Sequence, residues 1–251
     1  MTARDARQSE AVMLDMEIQR QTSMAYWFPR VADLHVPETV FIALPITKTL
    51  DWMDKGIPPE FVERVRRLIP FEYPVFIRTD YASGKHSWKE TCFVRSEDHL
   101  GCNIYALLEA NELADIMGLP YRWLVVREYV PMQTVFEAFH GDMPINHEHR
   151  YFVRDGGVEC RHPYWPMEVF EAAFEQPKAA DWKERLKGIS DCPHPEVKEI
   201  AGEVALRFKD WWSVDFSLGN DGEWYLIDMA RGEISYHWPG CPMKPVQRGA
   251  P

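Results

Sequence analysis

Apolar residues recur at helical spacing in three segments of the first half of the chain, residues 5–20, 58–69 and 104–117. The second segment carries a proline in its first turn and an apolar stripe with a repeat of about 3.6 residues, which predicts an amphipathic helix. Pro70 ends this helix because proline cannot continue a helix interior. Gly118 and Pro120 are expected to end the third helix.

Short apolar runs between and after these helices predict buried strands. The runs cover residues 40–44, 73–77, 91–94 and 123–130. Their length and their β-branched and aromatic residues are typical of strands in a core. The second and third runs enclose a polar loop, residues 79–86, so polar chemistry is expected at the ends of these strands.

The second half of the chain predicts two hairpins and a long helix. The first hairpin pairs residues 147–154 with 158–162 through Asp155-Gly156-Gly157, where the glycine pair is expected to supply the positive φ of the turn. The second pairs 213–218 with 223–229. The helix spans 197–211. This mixture predicts an α+β fold rich in antiparallel hairpins, without flexible linkers or internal repeats and with an irregular tail from Pro239.

Composition and charge limit the possible functions. The 251 residues are 46% hydrophobic and 27% charged, which is typical of a globular protein. The 28 Lys and Arg against 39 Asp and Glu give a net charge of −11, which argues against general nucleic-acid binding and against an anionic membrane surface. The longest apolar run is too short to span a membrane, and no signal peptide is evident, so a cytoplasmic protein is expected.

The five cysteines predict neither a disulfide framework nor a zinc ribbon. They are odd in number, widely spaced and form no Cys-x-x-Cys pair. Reduced, structural thiols are therefore expected.

The first polar cluster runs from Arg78 to Lys85. An arginine at a strand end, followed by Gly84 and Lys85 in a loop, offers two cations and accessible backbone N–H groups to phosphate oxygens. The cluster is not a P-loop, because Thr79 and His86 stand where that motif requires Gly and Ser or Thr. An ordinary turn with solvated cations is the alternative.

The second cluster combines residues 127–130 with Glu148 and Arg150. Glu148 and Arg150 alternate onto one face of a strand, so that a carboxylate and a guanidinium project together. A surface ion pair of less than about 1 kcal/mol is the alternative. His147 and His149 share the other face of this strand, but without a third ligand nearby they do not predict a metal site.

The third cluster consists of Asp215 and Asp228, which lie inside two otherwise apolar strands joined by a tight turn. Aspartate is depleted in strands and is rarely buried without a partner. Two carboxylates that converge on one point suit Mg²⁺, with Glu233 as a third oxygen. The alternative is a buried pair of aspartates salt-bridged to Arg231 or Lys209.

In this order the clusters resemble the ATP-grasp fold. The similarity is to the divergent clade that includes the eukaryotic cell-division-cycle chaperone assembling translation initiation factor two, with bacterial and viral relatives, and it covers residues 26–238. The motifs that carry the resemblance are Tyr26-Trp27-Phe28-Pro29, Val75 to Arg78, Ser83-Gly84-Lys85, Val125 to Val130, Glu148 to Val153, Val214-Asp215-Phe216 and Leu226 to Ala230.

The resemblance implies an α+β protein in which two α/β subdomains with antiparallel sheets grip ATP between them. The implied boundaries are a helical extension over 1–30, a subdomain with the phosphate loop over 31–125, a subdomain with the metal site over 126–238 and a tail over 239–251.

It also implies roles for particular residues. The catalytic cations are Arg78, Lys85 and Arg150. The residues implied in nucleotide binding are Arg78, Ser83, Gly84, Lys85, Arg127, Glu128, Tyr129, Val130 and Glu148. The implied Mg²⁺ ligands are Asp215, Asp228 and Glu233. Ala230 departs from the family pattern, which commonly has Asn there, and Arg78 replaces the usual Lys while keeping its charge.

The activity implied by the resemblance is ATP- and Mg²⁺-dependent ligation of a carboxylate to an amine or another nucleophile, with a peptide or protein as substrate. An ATP-binding assembly chaperone with little turnover is the alternative. A structural protein whose buried acids are merely salt-bridged is the third possibility, and it predicts no metal-dependent nucleotide binding.

Overall fold

The computed structural model describes residues 3–45, 49–114, 121–140, 142–173, 177–190 and 194–244. Its helices are α1 (Ala3–Thr22), α2 (Met24–Trp27), α3 (Thr49–Lys55), α4 (Pro59–Leu68), α5 (Leu100–Ala114), α6 (Met167–Glu171), α7 (Trp182–Ser190) and α8 (Pro195–Arg207). Its strands are β1 (Thr39–Ala43), β2 (Val75–Thr79), β3 (Phe93–Val94), β4 (Trp123–Glu128), β5 (Thr134–Ala138), β6 (Met143–Asn146), β7 (Glu148–Arg154), β8 (Gly157–Pro163), β9 (Trp212–Leu218) and β10 (Trp224–Arg231).

The first sheet has the strand order β1-β4-β2-β3, with antiparallel neighbours throughout. Helices α3, α4 and α5 cover one face of it. Phe61 and Val65 of α4 and the buried leucines of α5 pack there against Ile77 and Val126. This face explains the helical apolar stripe of α4, because a half-exposed helix must bury one side.

The second sheet has the order β10-β9-β7-β8 and is also antiparallel. Helix α8 packs on one face through Val197, Ala201 and Val204. The same core includes Trp27 of α2 and Val125 of the first sheet. One hydrophobic core therefore joins the N-terminal helices to both sheets and fixes the sheets relative to each other.

A third core forms around the two-stranded sheet β5-β6. Phe136 of β5 contacts Phe170 of α6 and Trp182 of α7. The strands and helices of this unit were not predicted from the sequence.

Most of the predicted elements are confirmed. The helices predicted at 5–20, 58–69 and 197–211 correspond to α1, α4 and α8, and both predicted hairpins form. The strand predicted at 91–94 is reduced to the two residues of β3. The helix predicted at 104–117 is confirmed as α5 up to Ala114, whereas its expected end at Gly118 and Pro120 lies outside the described residues.

The turn between β7 and β8 differs from the prediction. Positive φ angles fall on Asp155 (48°) and Gly156 (80°), and Gly157 already belongs to β8. Aspartate tolerates this left-handed conformation better than most residues, so a second glycine is not required.

No helix among the described residues combines the length and the apolar character that crossing a membrane requires. Residues 239–244 contain only turns and irregular backbone, as predicted, and the remainder of the expected tail lies outside the described residues.

Candidate functional site

A cleft of about 870 Å³, including space open to solvent, lies between the two sheets. Small-molecule sites commonly occupy such junctions between structural units. The cleft is lined by Pro37, Phe76, Arg78, Ser83, Lys85, Trp88, Arg127, Glu128, Tyr129, Val130, Met132, Met143, Pro144, Asn146, Glu148, Tyr164, Asp215, Ser217, Ile227 and Asp228.

Asp215 and Asp228 are cross-strand partners in the β9–β10 ladder. The register shifts between Leu226 and Asp228, which marks a β-bulge. A bulge re-aims the side chain that follows it, and here Asp228 lines the same cleft as Asp215. The two predicted acidic residues are therefore brought together.

Each of these carboxylates is paired with an arginine. Arg150 donates from Nε and Nη2 to the two oxygens of Asp215, at 2.7 and 2.8 Å. Arg78 Nη1 lies 2.9 Å from Asp228 Oδ1. The expected alternative partners are engaged differently, because Arg231 pairs with Glu233 and Asp210. The acids are thus salt-bridged, but by the two cations that were predicted to serve the nucleotide.

Burial sets the ionisation of the Asp215–Arg150 pair. Asp215 is 3% exposed, and its burial raises the pKa of the carboxyl above the usual range, a shift that Arg150 opposes and Asp228 reinforces. Burial also opposes the charge of Arg150, yet Asp215 raises the pKa of the guanidinium further. A cation between Asp215 and Asp228 would relieve their mutual repulsion.

The loop after β2 brings Lys85 across to the second sheet. Lys85 Nζ donates to the Tyr164 hydroxyl at 2.9 Å and lies 4.2 Å from the centre of that ring. Burial lowers the pKa of Lys85, but Tyr164 and Glu148 outweigh it and raise the pKa above its ordinary value. The ammonium group therefore stays charged while it faces the cleft.

Gly84 shapes this loop. Its φ is +63°, and a Cβ there would lie 3.3 Å from the Thr91 side chain. Thr91 Oγ1 donates to the Gly84 carbonyl at 2.8 Å, which fixes the loop beside the cleft. The loop conformation therefore requires glycine.

Glu148 lies on the floor of the cleft, on β7. It is 6% exposed, and Asn146 Nδ2 approaches its Oε1 at 3.4 Å, while its Oε2 has no hydrogen-bond partner among the described residues. Burial raises the pKa of Glu148 to about 7, although Lys85 opposes the shift. Glu148 is thus held close to the point at which it exchanges its proton near neutral pH.

The end of β4 forms another wall. Arg127 donates from Nη1 to the Ile227 carbonyl at 2.6 Å, which links the first sheet to β10, while its Nη2 has no partner in the described part of the chain. Burial and the neighbouring Arg78 lower the pKa of Arg127 to about 9. The Tyr129 ring packs 5.0 Å from Phe93 and 6.5 Å from Trp88. This wall therefore carries apolar rings next to a buried guanidinium.

Within the ranges that the structure describes, three buried polar atoms of cleft-lining residues have no hydrogen-bond partner: Arg127 Nη2, Glu148 Oε2 and Ser217 Oγ. Buried polar groups are nearly always satisfied, so three exceptions around one cleft point to a polar ligand. Carboxylates, cations and a hydroxyl beside aromatic rings form a donor set that fits a nucleotide with a hard divalent cation.

The cleft does not include every predicted site residue. Arg150 lies behind Asp215, and Gly84 supports the loop, so neither lines the cleft itself. Glu233 is directed to Arg231, at 2.7 Å, and is also absent from the lining. Its closeness in sequence to Asp228 does not bring it to the acidic pair.

Sequence reasoning missed several lining residues, including Trp88, Met132, Asn146 and Ser217. Two of them carried a usable signal. Ser217 is two residues after Asp215, and Asn146 is two residues before Glu148, so strand alternation could have placed them on the same face. Trp88 and Met132 lie in loops and carried no such signal.

Comparisons with known proteins bear on this cleft. A family model described as an ATP-grasp domain, family 3 of its clade, matches residues 61–247, which is well over half of the chain. No curated protein matches the sequence.

Solved structures share the fold at low sequence identity. C-terminally truncated Cdc123 from Schizosaccharomyces pombe superposes with a TM-score of 0.54 at 14% identity, over 86% of this chain and 85% of that chain. A second Cdc123 structure from the same organism gives 0.53 at 13%, with the same coverage. An N5-carboxyaminoimidazole synthase from Aspergillus clavatus, in complex with ADP, gives 0.46 at 13%, over 86% of this chain and 45% of that chain.

Proposed function

The chain belongs to the ATP-grasp domains, in family 3 of the matching clade, and from this premise we propose that its cleft binds ATP with Mg²⁺ to activate a carboxylate for ligation. The predicted α+β ATP-grasp fold is confirmed. The observation that carries the proposal is that Arg78, Lys85 and the Asp215–Asp228 pair meet in one cleft between the sheets.

Asp215 and Asp228 are the proposed Mg²⁺ ligands. When bound, Mg²⁺ supplies positive charge that neutralises phosphate oxygens. The fit rests on two facing carboxylates of which one, Asp228, is 41% exposed and accessible from the cleft. We leave Glu233 out of this set, because Arg231 engages its carboxylate.

The cations would orient the phosphates of ATP. Arg78 is a planar donor able to make paired hydrogen bonds to phosphate oxygens, and Lys85 adds a point charge from the opposite side. Ser83 and the Gly84 backbone would complete the phosphate loop. The wall from Arg127 to Val130 would hold adenine, with Trp88 and Tyr129 providing apolar surface beside it.

The proposed reaction needs no side-chain nucleophile. A substrate carboxylate oxygen forms a bond to the γ-phosphorus, the bond to the β,γ-bridging oxygen breaks, and ADP leaves. An amine then attacks the acyl carbon of the acyl-phosphate, inorganic phosphate leaves, and the amine loses its proton. Arg78 and Lys85 stabilise the transferring group by charge, and Arg150 acts by holding Asp215 in place. A peptide or protein is the proposed substrate class.

One observation favours a second function, an ATP-binding assembly module with little turnover. Arg78 and Arg150 already neutralise Asp228 and Asp215, and Ala230 stands where the family commonly has Asn. Nucleotide would then stabilise a shape that binds a partner, and phosphoryl transfer would be slow.

Two measurements test the proposal. Thermal unfolding with ATP, Mg²⁺ and both should show stabilisation of about 2.7 kcal/mol at 100 times Kd, or about 5–11 °C for this length, only when both are present. Incubation of the enzyme and Mg-ATP with a library of short carboxylate peptides and hydroxylamine should then trap hydroxamates with equal amounts of ADP. Stabilisation without ADP formation would support the assembly module, and no stabilisation would contradict both functions.

A further inference from the structure

Four potential metal ligands meet near the edge strand of the second sheet. Cys160 and His162 lie on β8, and His237 and Cys241 lie in the segment after β10. One ligand atom from each residue lies within 4.8 Å of the other three. Cys160 Sγ and His237 Nε2 are already 3.2 Å apart. The group is referred to below as the Cys₂His₂ cluster.

The geometry is close to that of a tetrahedral zinc site. Zn–S and Zn–N bonds of about 2.3 and 2.0–2.1 Å place tetrahedral ligand atoms roughly 3.3–3.8 Å apart. Contraction of the widest pairs by about 1 Å, which side-chain rotation can supply, would therefore close the site around one ion. Cys₂His₂ is a donor set that zinc takes in structural sites.

Local structure directs these ligands to one point. Cys160 and His162 are two residues apart on a strand, so both side chains project from the same face. His237 Nδ1 lies 3.5 Å from the Trp238 carbonyl, and its Nε2 faces Cys160. A backbone partner on one ring nitrogen is the usual way in which a ligating histidine is oriented.

The cluster is buried among aromatic rings. His162 is 9% exposed and His237 is 5% exposed. The Trp238 ring stacks on His162 at 6.0 Å, and Phe152 lies 4.3 Å from the His237 ring. His162 Nε2 is buried without a hydrogen-bond partner among the residues described. An unpartnered ring nitrogen in an apolar shell, beside two thiols, calls for a cation.

We propose that Cys160, His162, His237 and Cys241 bind a structural Zn²⁺ ion that fastens the segment after β10 to the edge strand β8. Four protein ligands fill a tetrahedral zinc, so this ion would have no open position for substrate. Binding replaces the two thiol protons with bonds to zinc and releases them to solvent.

The site would also support the cleft. Arg150 Nη1 donates to the Tyr236 carbonyl at 3.4 Å, next to the ligand His237, and its other nitrogens hold Asp215. On β8, His162 is the cross-strand partner of Arg150. Zinc would thereby fix two of the elements around the arginine that orients the acidic pair.

A second group, His147, His149 and His194, lies on the other face of β7 and provides the internal contrast. It supplies the third histidine that the sequence did not reveal, but it contains no thiol. Metal bound there would therefore lack sulfur ligands, and a spectroscopic probe can tell the two groups apart.

The test uses the full chain, purified under reducing conditions, stripped of metal and titrated with Co²⁺ and then Zn²⁺. Co²⁺ should produce thiolate-to-metal charge-transfer bands and intense tetrahedral d–d bands at one equivalent, and Zn²⁺ should displace both. Cys160→Ser and Cys241→Ser should lose the charge-transfer intensity and weaken Zn²⁺ binding by more than about 100-fold, beyond the 10–100-fold cost of losing a supporting group.

Two matched controls should behave as the unaltered chain does, Cys102→Ser for an exposed free thiol and His147→Gln for the histidine group. Circular dichroism of each variant checks that it is folded. Co²⁺ spectra without sulfur bands, or bands that survive in folded Cys160→Ser and Cys241→Ser, would overturn the proposal. So would loss of both thiols that a reductant, but not a chelator, reverses, since that would identify a disulfide.

Discussion

Arg78 and Asp228 join the two sheets across the cleft, with 2.9 Å between Nη1 and Oδ1. Arg78 is also held from its own strand end, where its Nε donates to the Thr79 carbonyl at 3.1 Å and its Nη2 to the Tyr81 carbonyl at 3.3 Å. A phosphate ligand would compete with Asp228 for this guanidinium. We therefore expect Arg78 to exchange a carboxylate partner for a phosphate when Mg-ATP binds.

The Asp215–Arg150 pair predicts a large stability effect. Arg150→Met leaves Asp215 buried and unpaired, which should lower the free energy of unfolding by about 3–5 kcal/mol. Arg154→Met on the same strand removes a more exposed ion pair to Glu159 and should cost no more than about 1 kcal/mol. Urea denaturation followed by tryptophan fluorescence measures both. Equal effects of the two variants would show that the buried pair has no special weight.

Glu148 predicts a pH dependence with a definite sign. Its pKa is about 7 in the folded chain against an ordinary 4.5, so the folded state binds more protons between these values and its stability falls as the pH rises through this window. Lys85, Asp215 and Asn146 face the carboxyl. Glu148→Gln should remove this slope and, above pH 7, exceed the unaltered chain by up to about 3 kcal/mol.

The comparison is made on the difference between the two proteins, measured by urea denaturation at a series of pH values. Other groups that titrate here, such as His149, contribute equally to both and cancel. A difference that does not change between pH 4.5 and 7 would contradict the assignment.

Gly84 predicts a conformational cost. Gly84→Ala must adopt φ near +63° and meet Thr91 at 3.3 Å, which should reduce stability by about 1–2 kcal/mol. Gly188→Ala is the matched change in exposed α7, where nothing lies within 4 Å of the added Cβ. It should raise stability by about 0.5–1 kcal/mol. Thermal unfolding of both variants checks the opposite signs, and a neutral Gly84→Ala would show that the loop readily rearranges.

Lys85 predicts a loss of nucleotide affinity. Lys85→Met removes a charge-assisted contact to phosphate of about 1.5–3 kcal/mol, which corresponds to roughly 10–150-fold in Kd for Mg-ATP. Lys89→Met removes an exposed lysine paired with Asp142 a short distance along the same loop and should leave Kd unchanged. Competition with a fluorescent ATP analogue gives both constants. A Kd for Lys85→Met equal to that of Lys89→Met would remove Lys85 from the phosphate site.

The acidic pair could be predicted because aspartate inside apolar strands is unusual, and a hairpin brings its two strands together by necessity. Glu233 followed the same reasoning without the same support. It lies beyond the strand, in a turn where the neighbouring Arg231 takes its carboxylate. Closeness in sequence says little about direction once the strand alternation ends.

The Cys₂His₂ cluster could not be predicted from spacing. Its ligands come from β8 and from the segment after β10, which are far apart in sequence, and they form no Cys-x-x-Cys pair. The histidine group failed for a similar reason, because His194 lies far from β7 in sequence. Contacts between distant segments depend on the tertiary fold, whereas strand and helix patterns depend on neighbours along the chain.

The most direct test of the central claim is the dissociation constant for ATP, measured calorimetrically with and without Mg²⁺. Asp228→Asn is the informative variant, since Asp228 is partly exposed, and Asp155→Asn in the β7–β8 turn is its control. The account predicts one Mg²⁺-dependent site per chain, with affinity at least about tenfold weaker in Asp228→Asn and unchanged in Asp155→Asn. Folded protein that binds no ATP in the presence of Mg²⁺, or Asp228→Asn with unchanged affinity, would contradict it.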